Sequence, residues 1–239
     1  MINIKDKIFV ISGTSSGIGN YLAKELLKLK CIVVGISRKR TLINDKRFTN
    51  YCLDLNSSIQ VKKLKFFLKY KFKKIDVLIN NAGISKQGYN IGHFETNIKN
   101  NLFSTYQLTL NLIPLIKKNG KIINISSIAS LYGFENNPGY NSAKAALNSL
   151  TKSISNDFAK NNIYCNSISL GYFKTRMTKK SYMTLKERKI RSDQTLLKRW
   201  GKKSEILGPI IFLSSAMSNY ITGQNIIVDG GWSIKGFKF

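Results

Sequence analysis

Residues 7–29 read as a short apolar strand, a glycine-rich turn and an amphipathic helix, and few folds can use that succession so early in a chain. Lys7-Ile-Phe-Val-Ile-Ser12 supplies the strand and Gly13-Thr-Ser-Ser-Gly17-Ile-Gly19 the turn; Leu22, Ala23, Leu26 and Leu29 form the apolar stripe of the helix. The glycines let the backbone turn tightly and let a pyrophosphate approach the amides at the helix N-terminus, where unpaired N–H groups favour an anion. The spacing Gly-x-x-x-Gly-x-Gly in this setting points to nucleotide binding rather than to an ordinary strand–helix connection.

The next elements extend that reading. A second strand, Cys31-Ile-Val-Val-Gly-Ile36, ends at Ser37-Arg38-Lys39-Arg40. An acidic residue at this strand end bonds a ribose 2′-hydroxyl, whereas arginine accommodates a 2′-phosphate. Positions 36–40 hold no carboxylate and three cations, so NADP(H) is expected over NAD(H), the plainer alternative being a solvated basic loop. A third strand, Thr49–Asp54, ends in a carboxylate placed to bond an adenine amino group. A fourth, Ile75–Ile79, runs into Asn80-Asn81-Ala82-Gly83, whose small pair lets the turn lie against a cofactor. Strands alternating with helices imply a doubly wound parallel sheet with helices on both faces, and 239 residues suffice for one α/β core.

Farther along, Tyr140-Asn-Ser-Ala-Lys144 follows Ser127 by thirteen residues. Tyr and Lys four apart on a helix share a face, and an ammonium beside a phenol is expected to lower the phenol pKa towards working pH. A phenol so tuned exchanges a proton with a substrate oxygen. The helix Ser142–Lys160 places Ala143, Leu147, Leu150, Ile154 and Phe158 along one apolar face.

In these motifs, and in Asn101, Ile125-Ser-Ser127 and the tail Ile221–Trp232, the chain resembles the classical short-chain dehydrogenase/reductase family over essentially its whole length. The resemblance implies a single-domain Rossmann-type fold over residues 1–239, with Asn101, Ser127, Tyr140 and Lys144 as the catalytic set. Tyr140 would act as general acid, Ser127 would bond the substrate carbonyl, Lys144 would hold the nicotinamide ribose, and Asn101 would anchor a proton-relay water. Asn100 competes with Asn101, which is preferred because Leu102, Tyr106, Leu110 and Ile113 then form the apolar face of its helix and Pro114 falls at its end. The implied cofactor contacts are Gly13, Ser15, Ser16, Gly17, Ile18, Gly19, Ser37, Arg38, Asp54, Asn81, Ala82, Gly83, Tyr140, Lys144, Gly171 and Thr175. The resemblance also implies a homotetramer, paired through the helices starting near Asn101 and Ser142 and the strand Asn225–Val228.

Departures from the family pattern are informative. Leu170-Gly171 replaces the usual Pro-Gly, which loosens a turn without removing its flexible residue. The crossover from Ser37 to Thr49 is barely long enough for a parallel connection, so its helix is expected to shrink to a turn. The stretch from Ile84 to Asn100 is shorter than usual and should border the substrate. Pro209 is expected early in a helix beginning near Ser204, with little disruption.

Charge is the one property the resemblance does not explain: 39 basic and 12 acidic residues leave a net charge of +27. Such an excess can steer anionic partners, yet the lysines are scattered over helix faces and no nucleic-acid motif accompanies the densest stretches, Lys62–Lys74 and Lys174–Lys203. Specific nucleic-acid binding is therefore not expected. Cysteines 31, 52 and 165 fall on expected strands without metal-like spacing, which suggests reduced, buried thiols. No charged-then-apolar leader and no long apolar run occur, so a cytoplasmic protein away from the membrane is expected. The expected activity is NADPH-dependent reduction of a small-molecule or carrier-linked carbonyl, such as a 3-oxoacyl group on acyl carrier protein. Gly171-Tyr-Phe-Lys-Thr175 with Leu197-Lys-Arg-Trp-Gly201 is also similar to gluconate 5-dehydrogenases, which keeps a sugar acid or polyol open. A non-catalytic NADPH-binding regulator would need no such Ser–Tyr pair.

Overall fold

Seven strands form one sheet: β1 Ile8–Ser12, β2 Ile32–Ser37, β3 Phe48–Cys52, β4 Ile75–Asn80, β5 Ile116–Ser127, β6 Tyr164–Leu170 and β7 Asn225–Val228. In the computed structural model, which describes residues 3–235, they lie in the order β3-β2-β1-β4-β5-β6-β7 and every pair is parallel. The helices are α1 Gly17–Lys28, α2 Ser58–Phe72, α3 Ile91–Ile98, α4 Ser104–Leu112, α5 Pro138–Phe158, α6 Lys179–Met183, α7 Leu185–Asp193 and α8 Ser204–Leu213. A π-helical turn, Lys99–Phe103, joins α3 to α4.

Strand periodicity sorts the core into two layers. Phe9, Ile11, Val33, Val77, Ile79, Ile123 and Ile168 pack on one face against Leu22 and Leu26 of α1 and Ile206 and Ile210 of α8. Val10, Val34, Ile36, Leu78 and Ile122 pack on the other against Val61, Leu64 and Leu68 of α2, Leu108 and Leu112 of α4, and Ile154 of α5. Each fully buried side chain of this size contributes roughly 1.5–3 kcal/mol, so both helix layers are needed to hold the sheet. The layout is the doubly wound single sheet expected, with strand order reversing between β1 and β4.

Several local expectations hold and others need correction. The β2–β3 crossover contains only turns among residues 38–47, as its length demanded. β3 stops at Cys52, so Asp54 lies just past the strand. α5 begins at Pro138, four residues earlier than expected, because proline needs no N–H in a first helical turn. α8 runs through Pro209 near its middle to Leu213. The apolar face expected of the helix after Asn101 points largely outward: Tyr106 and Leu110 are 43% and 51% exposed, while α4 buries Thr105, Leu108, Thr109 and Leu112. An exposed apolar stripe carries the same period as a core face. Cys52 is exposed on the edge strand, whereas Cys31 and Cys165 are buried free thiols. Among the described residues no helix is long and apolar enough to cross a membrane.

Candidate active site

Where the strand order reverses, the turns after β1 and β4 lock together, the position at which open α/β sheets bind ligands. Gly13 takes φ +78°, and a Cβ there would lie 2.9 Å from the Ala82 Cα. At Gly19 a Cβ would lie 2.5 Å from the Gly13 carbonyl oxygen, so only glycine lets α1 start this close to the turn. The Ser12 hydroxyl accepts the Asn81 and Ala82 N–H groups at 3.0 Å each, and the Asn81 amide donates to the Ser12 carbonyl at 2.9 Å. Ser16 is the N-cap of α1 but its side chain caps nothing, and Ser15 and Ser16 are exposed beside half-buried Gly17 and Ile18. An uncapped first turn behind a glycine cradle fits an anionic pyrophosphate.

The far end of the cradle also suits a dinucleotide. The Ser37 hydroxyl turns inward, donating to the Lys39 carbonyl at 2.6 Å. Arg38, Lys39 and Arg40 are exposed, and none forms an ion pair among the described residues. Asp54 Oδ1 accepts the Asn56 backbone and side-chain N–H groups at 3.0 and 3.2 Å, which fixes the carboxylate.

Ser127 ends β5 in register with Leu170 of β6, while Tyr140 and Lys144 stand one turn apart on α5. Lys144 Nζ lies 5.7 Å from the Tyr140 ring centre and donates to the Ile125 carbonyl at 2.8 Å. Burial lowers the Lys144 pKa to about 8. Burial raises the Tyr140 pKa, opposed by a hydrogen bond with Ser127. The expected fall of the phenol pKa is thus reversed: Lys144 aims its ammonium at Ile125, and loss of solvent dominates both groups. A phenol that keeps its proton at neutral pH is suited to donate it.

Asn101 is fully buried in the π-helical turn, a helical irregularity frequent at functional sites. Its Oδ1 accepts the Ile84 N–H at 3.0 Å, and its Nδ2 donates to the Ile84 carbonyl at 2.9 Å and the Asn97 carbonyl at 2.8 Å. Asn100 turns elsewhere, donating to Thr96 and accepting from Asn56. A Cβ at Gly83 would lie 2.6 Å from Asn101 Oδ1 and 3.7 Å from Lys144 Nζ, so the Gly83 turn is the point where π turn and α5 converge. The Gly171 N–H donates to the Val228 carbonyl at 3.0 Å, and Thr175 exchanges hydrogen bonds with Thr178 ahead of α6.

Over the β6 end, residues 172–200 stack cations on aromatic rings. Lys174 Nζ and the Arg188 guanidinium lie 4.6 and 5.5 Å from the Tyr182 ring centre, and Arg191 lies 5.2 Å from that of Tyr172. Trp200 packs on both rings, and Tyr172 also meets Trp232 edge-on. Sequence reading missed Ser12, Ser85, Asn97 and Asn137, whose partners are mostly backbone groups or residues far along the chain. The only trace was the run of asparagines near position 100.

A family model described as enoyl-(acyl carrier protein) reductase matches residues 13–233. The chain is 31% identical over 245 residues to a 2-dehydro-3-deoxy-D-gluconate 5-dehydrogenase of Dickeya dadantii, covering 96% of each. It is 30% identical over 245 residues to a 3-oxoacyl-[acyl-carrier-protein] reductase of Thermotoga maritima, covering 96% of this chain and 99% of that one. Among solved structures, a gluconate 5-dehydrogenase from Burkholderia cenocepacia in complex with NADP and tartrate superposes with TM-score 0.92 at 26% identity, covering 98% of each chain. A 4-hydroxyisoleucine dehydrogenase complexed with NADH gives TM-score 0.90 at 30% identity, covering 96% of this chain and all of that one (100%).

Proposed function

The chain belongs to the short-chain dehydrogenase/reductase family, oxidoreductases acting on hydroxyl and keto groups, and from that premise we propose that it is an NADPH-dependent carbonyl reductase. The observation that carries the reading is the convergence of Ser127, Tyr140, Lys144 and Asn101 beside the Gly13–Gly19 cradle. When bound, NADPH supplies the hydride, and the protein supplies position and the proton. Ser127 hydrogen-bonds the carbonyl oxygen and Tyr140 gives that oxygen its proton. Lys144, with its pKa near 8, is mostly cationic at neutral pH and holds the nicotinamide ribose. Asn101 keeps the Gly83 turn in place and anchors the water that returns a proton towards Lys144. Gly171 and Thr175 hold the nicotinamide end.

Preference for NADP(H) rests on exposed Arg38 and its neighbouring cations, whose fork of donors suits a 2′-phosphate and meets no competing carboxylate. For the substrate, the leading reading is a 3-oxoacyl group on acyl carrier protein, supported by the exposed flap cations Lys174, Arg176, Lys179 and Lys180. A sugar acid is the second reading, supported by the gluconate-type relatives. We assign the protein to the cytoplasm as a homotetramer, with Tyr106 and Leu110 on one shared surface. The test is NADPH oxidation screened against acyl thioesters, keto-sugars and keto-acids. Multiple turnovers on any of these support a reductase; tight NADPH binding without turnover on all of them leaves a non-catalytic regulator.

A further inference from the structure

The segment after the Gly83 turn is held residue by residue against the helices beside it. Asn101 brackets Ile84 with both ends of its amide, and Asn97, four residues earlier, does the same to Lys86. The Asn97 Oδ1 accepts the Lys86 N–H at 3.0 Å, and its Nδ2 donates to the carbonyls of Lys86 at 2.8 Å and His93 at 2.9 Å. Four helical residues rise about 6 Å and two strand residues about 6.6 Å, so two amides one turn apart match alternate residues of an extended segment. The pair stands in for a neighbouring strand.

The intervening and following residues are tied as well. Ser85 Oγ accepts from the Asn137 amide at 2.8 Å, the Gln87 carbonyl meets His93 Nδ1 at 2.6 Å, and the Gly88 N–H donates to the Asn136 carbonyl at 2.9 Å. Asn136 and Asn137 lie just ahead of Tyr140. A Cβ on Gly139 would lie 2.7 Å from the Phe94 Cα and 3.2 Å from the Asn97 Cβ, so α3 and the start of α5 touch at this point. Asn97 is 1% exposed. A buried amide is tolerated only when it is hydrogen-bonded, and two of its three bonds go to Lys86.

We propose that Asn97 is a positioning residue for carbonyl reduction: with Asn101 it fixes residues 84–88 as the wall that holds the substrate against Tyr140. The proposal rests on the reading that Tyr140 protonates a carbonyl, and it adds a residue outside the catalytic set. Misplacement of reacting groups by an ångström is expensive in rate even when the chemical groups are intact.

Asn97→Leu keeps the volume and removes every bond to Lys86. The expected result is a fall in kcat/KM for the carbonyl substrate of at least about tenfold, with the NADPH Kd within about twofold of wild type. Hydrogen–deuterium exchange should quicken in residues 84–90 and stay unchanged in α5. Asn97→Asp keeps the acceptor for the Lys86 N–H and loses the donors, so it should fall between wild type and Asn97→Leu. If Asn97→Leu does not fold, Asn97→Ser, too short to bridge, takes its place with the same expectation. A folded variant whose kcat/KM stays within about twofold of wild type, or whose 84–90 exchange is unchanged, overturns the proposal. Should the wild type reduce no carbonyl at all, the functional reading fails, while the exchange data still decide whether Asn97 holds this wall.

Discussion

Lys144→Met should stabilise the cofactor-free protein while removing its activity. The wild-type ammonium is buried, and its pKa falls from 10.5 to about 8. At pH 7 the folded and unfolded chains both hold this proton, so the folded state bears the whole desolvation cost, about 3 kcal/mol. Losing the donor to the Ile125 carbonyl returns roughly 1 kcal/mol of that gain. A net gain of about 2 kcal/mol corresponds to a Tm rise of roughly 4–8 °C for a chain of this size. The pH dependence fixes the cause. Between about 8 and 10.5 the unfolded chain binds more protons at this site than the folded one, so wild-type stability rises with pH across that window. The variant lacks the group, and its advantage should shrink from pH 8 upward, vanish at about pH 9.5 and reverse by about pH 10.5, where the neutral amine still donates to Ile125 at little desolvation cost. Thermal melts of both proteins by circular dichroism, from pH 7 to 10.5 at fixed salt, read this directly. A variant no more stable than wild type at pH 7, or a gap that does not change with pH, would refute the reasoning.

Wild-type kcat/KM should favour NADPH over NADH by at least about tenfold, or about 1.4 kcal/mol, and Ser37→Asp with Arg38→Leu should reverse the preference; equal use of both by the wild type counts against the assigned role of Arg38. Light scattering at micromolar concentration should give a tetramer mass, and Tyr106→Glu with Leu110→Glu should lower it; a monomeric wild type contradicts the shared surface on α4. For an acyl-carrier substrate, kcat/KM should fall steeply as the Debye length shrinks from about 30 Å at 0.01 M salt to about 8 Å at 0.15 M, while a small neutral ketone hardly responds. Identical salt curves would favour the sugar-acid reading.

The parts of this molecule legible in its sequence are those where chemistry allows few residue types at a set spacing. Gly13 and Gly19 could be read because a methyl group at either meets backbone within 3 Å. The two core layers follow from strand alternation, and the missing helix between β2 and β3 follows from chain length. Orientation is different. The Tyr140–Lys144 spacing brings the two side chains near each other, but not what the ammonium faces or how far water is excluded, and both determined the direction of the phenol pKa. The apolar period of Tyr106 and Leu110 marks a face of their helix but does not say whether that face lies inward or outward, and here it lies outward. Asn97 left only the trace of an asparagine-rich run, since its partner Lys86 is bound through its backbone, which every residue type shares. Cys52 was misplaced because edge and central strands share one composition.

In the proposed reaction hydride reaches a carbonyl carbon while Tyr140 protonates its oxygen. The most direct measurement is reduction of a 3-oxoacyl or keto-acid substrate with NADPH fully deuterated at the nicotinamide C4, followed by mass spectrometry of the product. The expected product is an alcohol carrying one deuterium at the former carbonyl carbon. Tyr140→Phe should form it at below about a tenth of the wild-type rate while binding NADPH within a few-fold of wild type. Unlabelled alcohol from the wild type, or labelled alcohol from Tyr140→Phe at near wild-type rate, would contradict it.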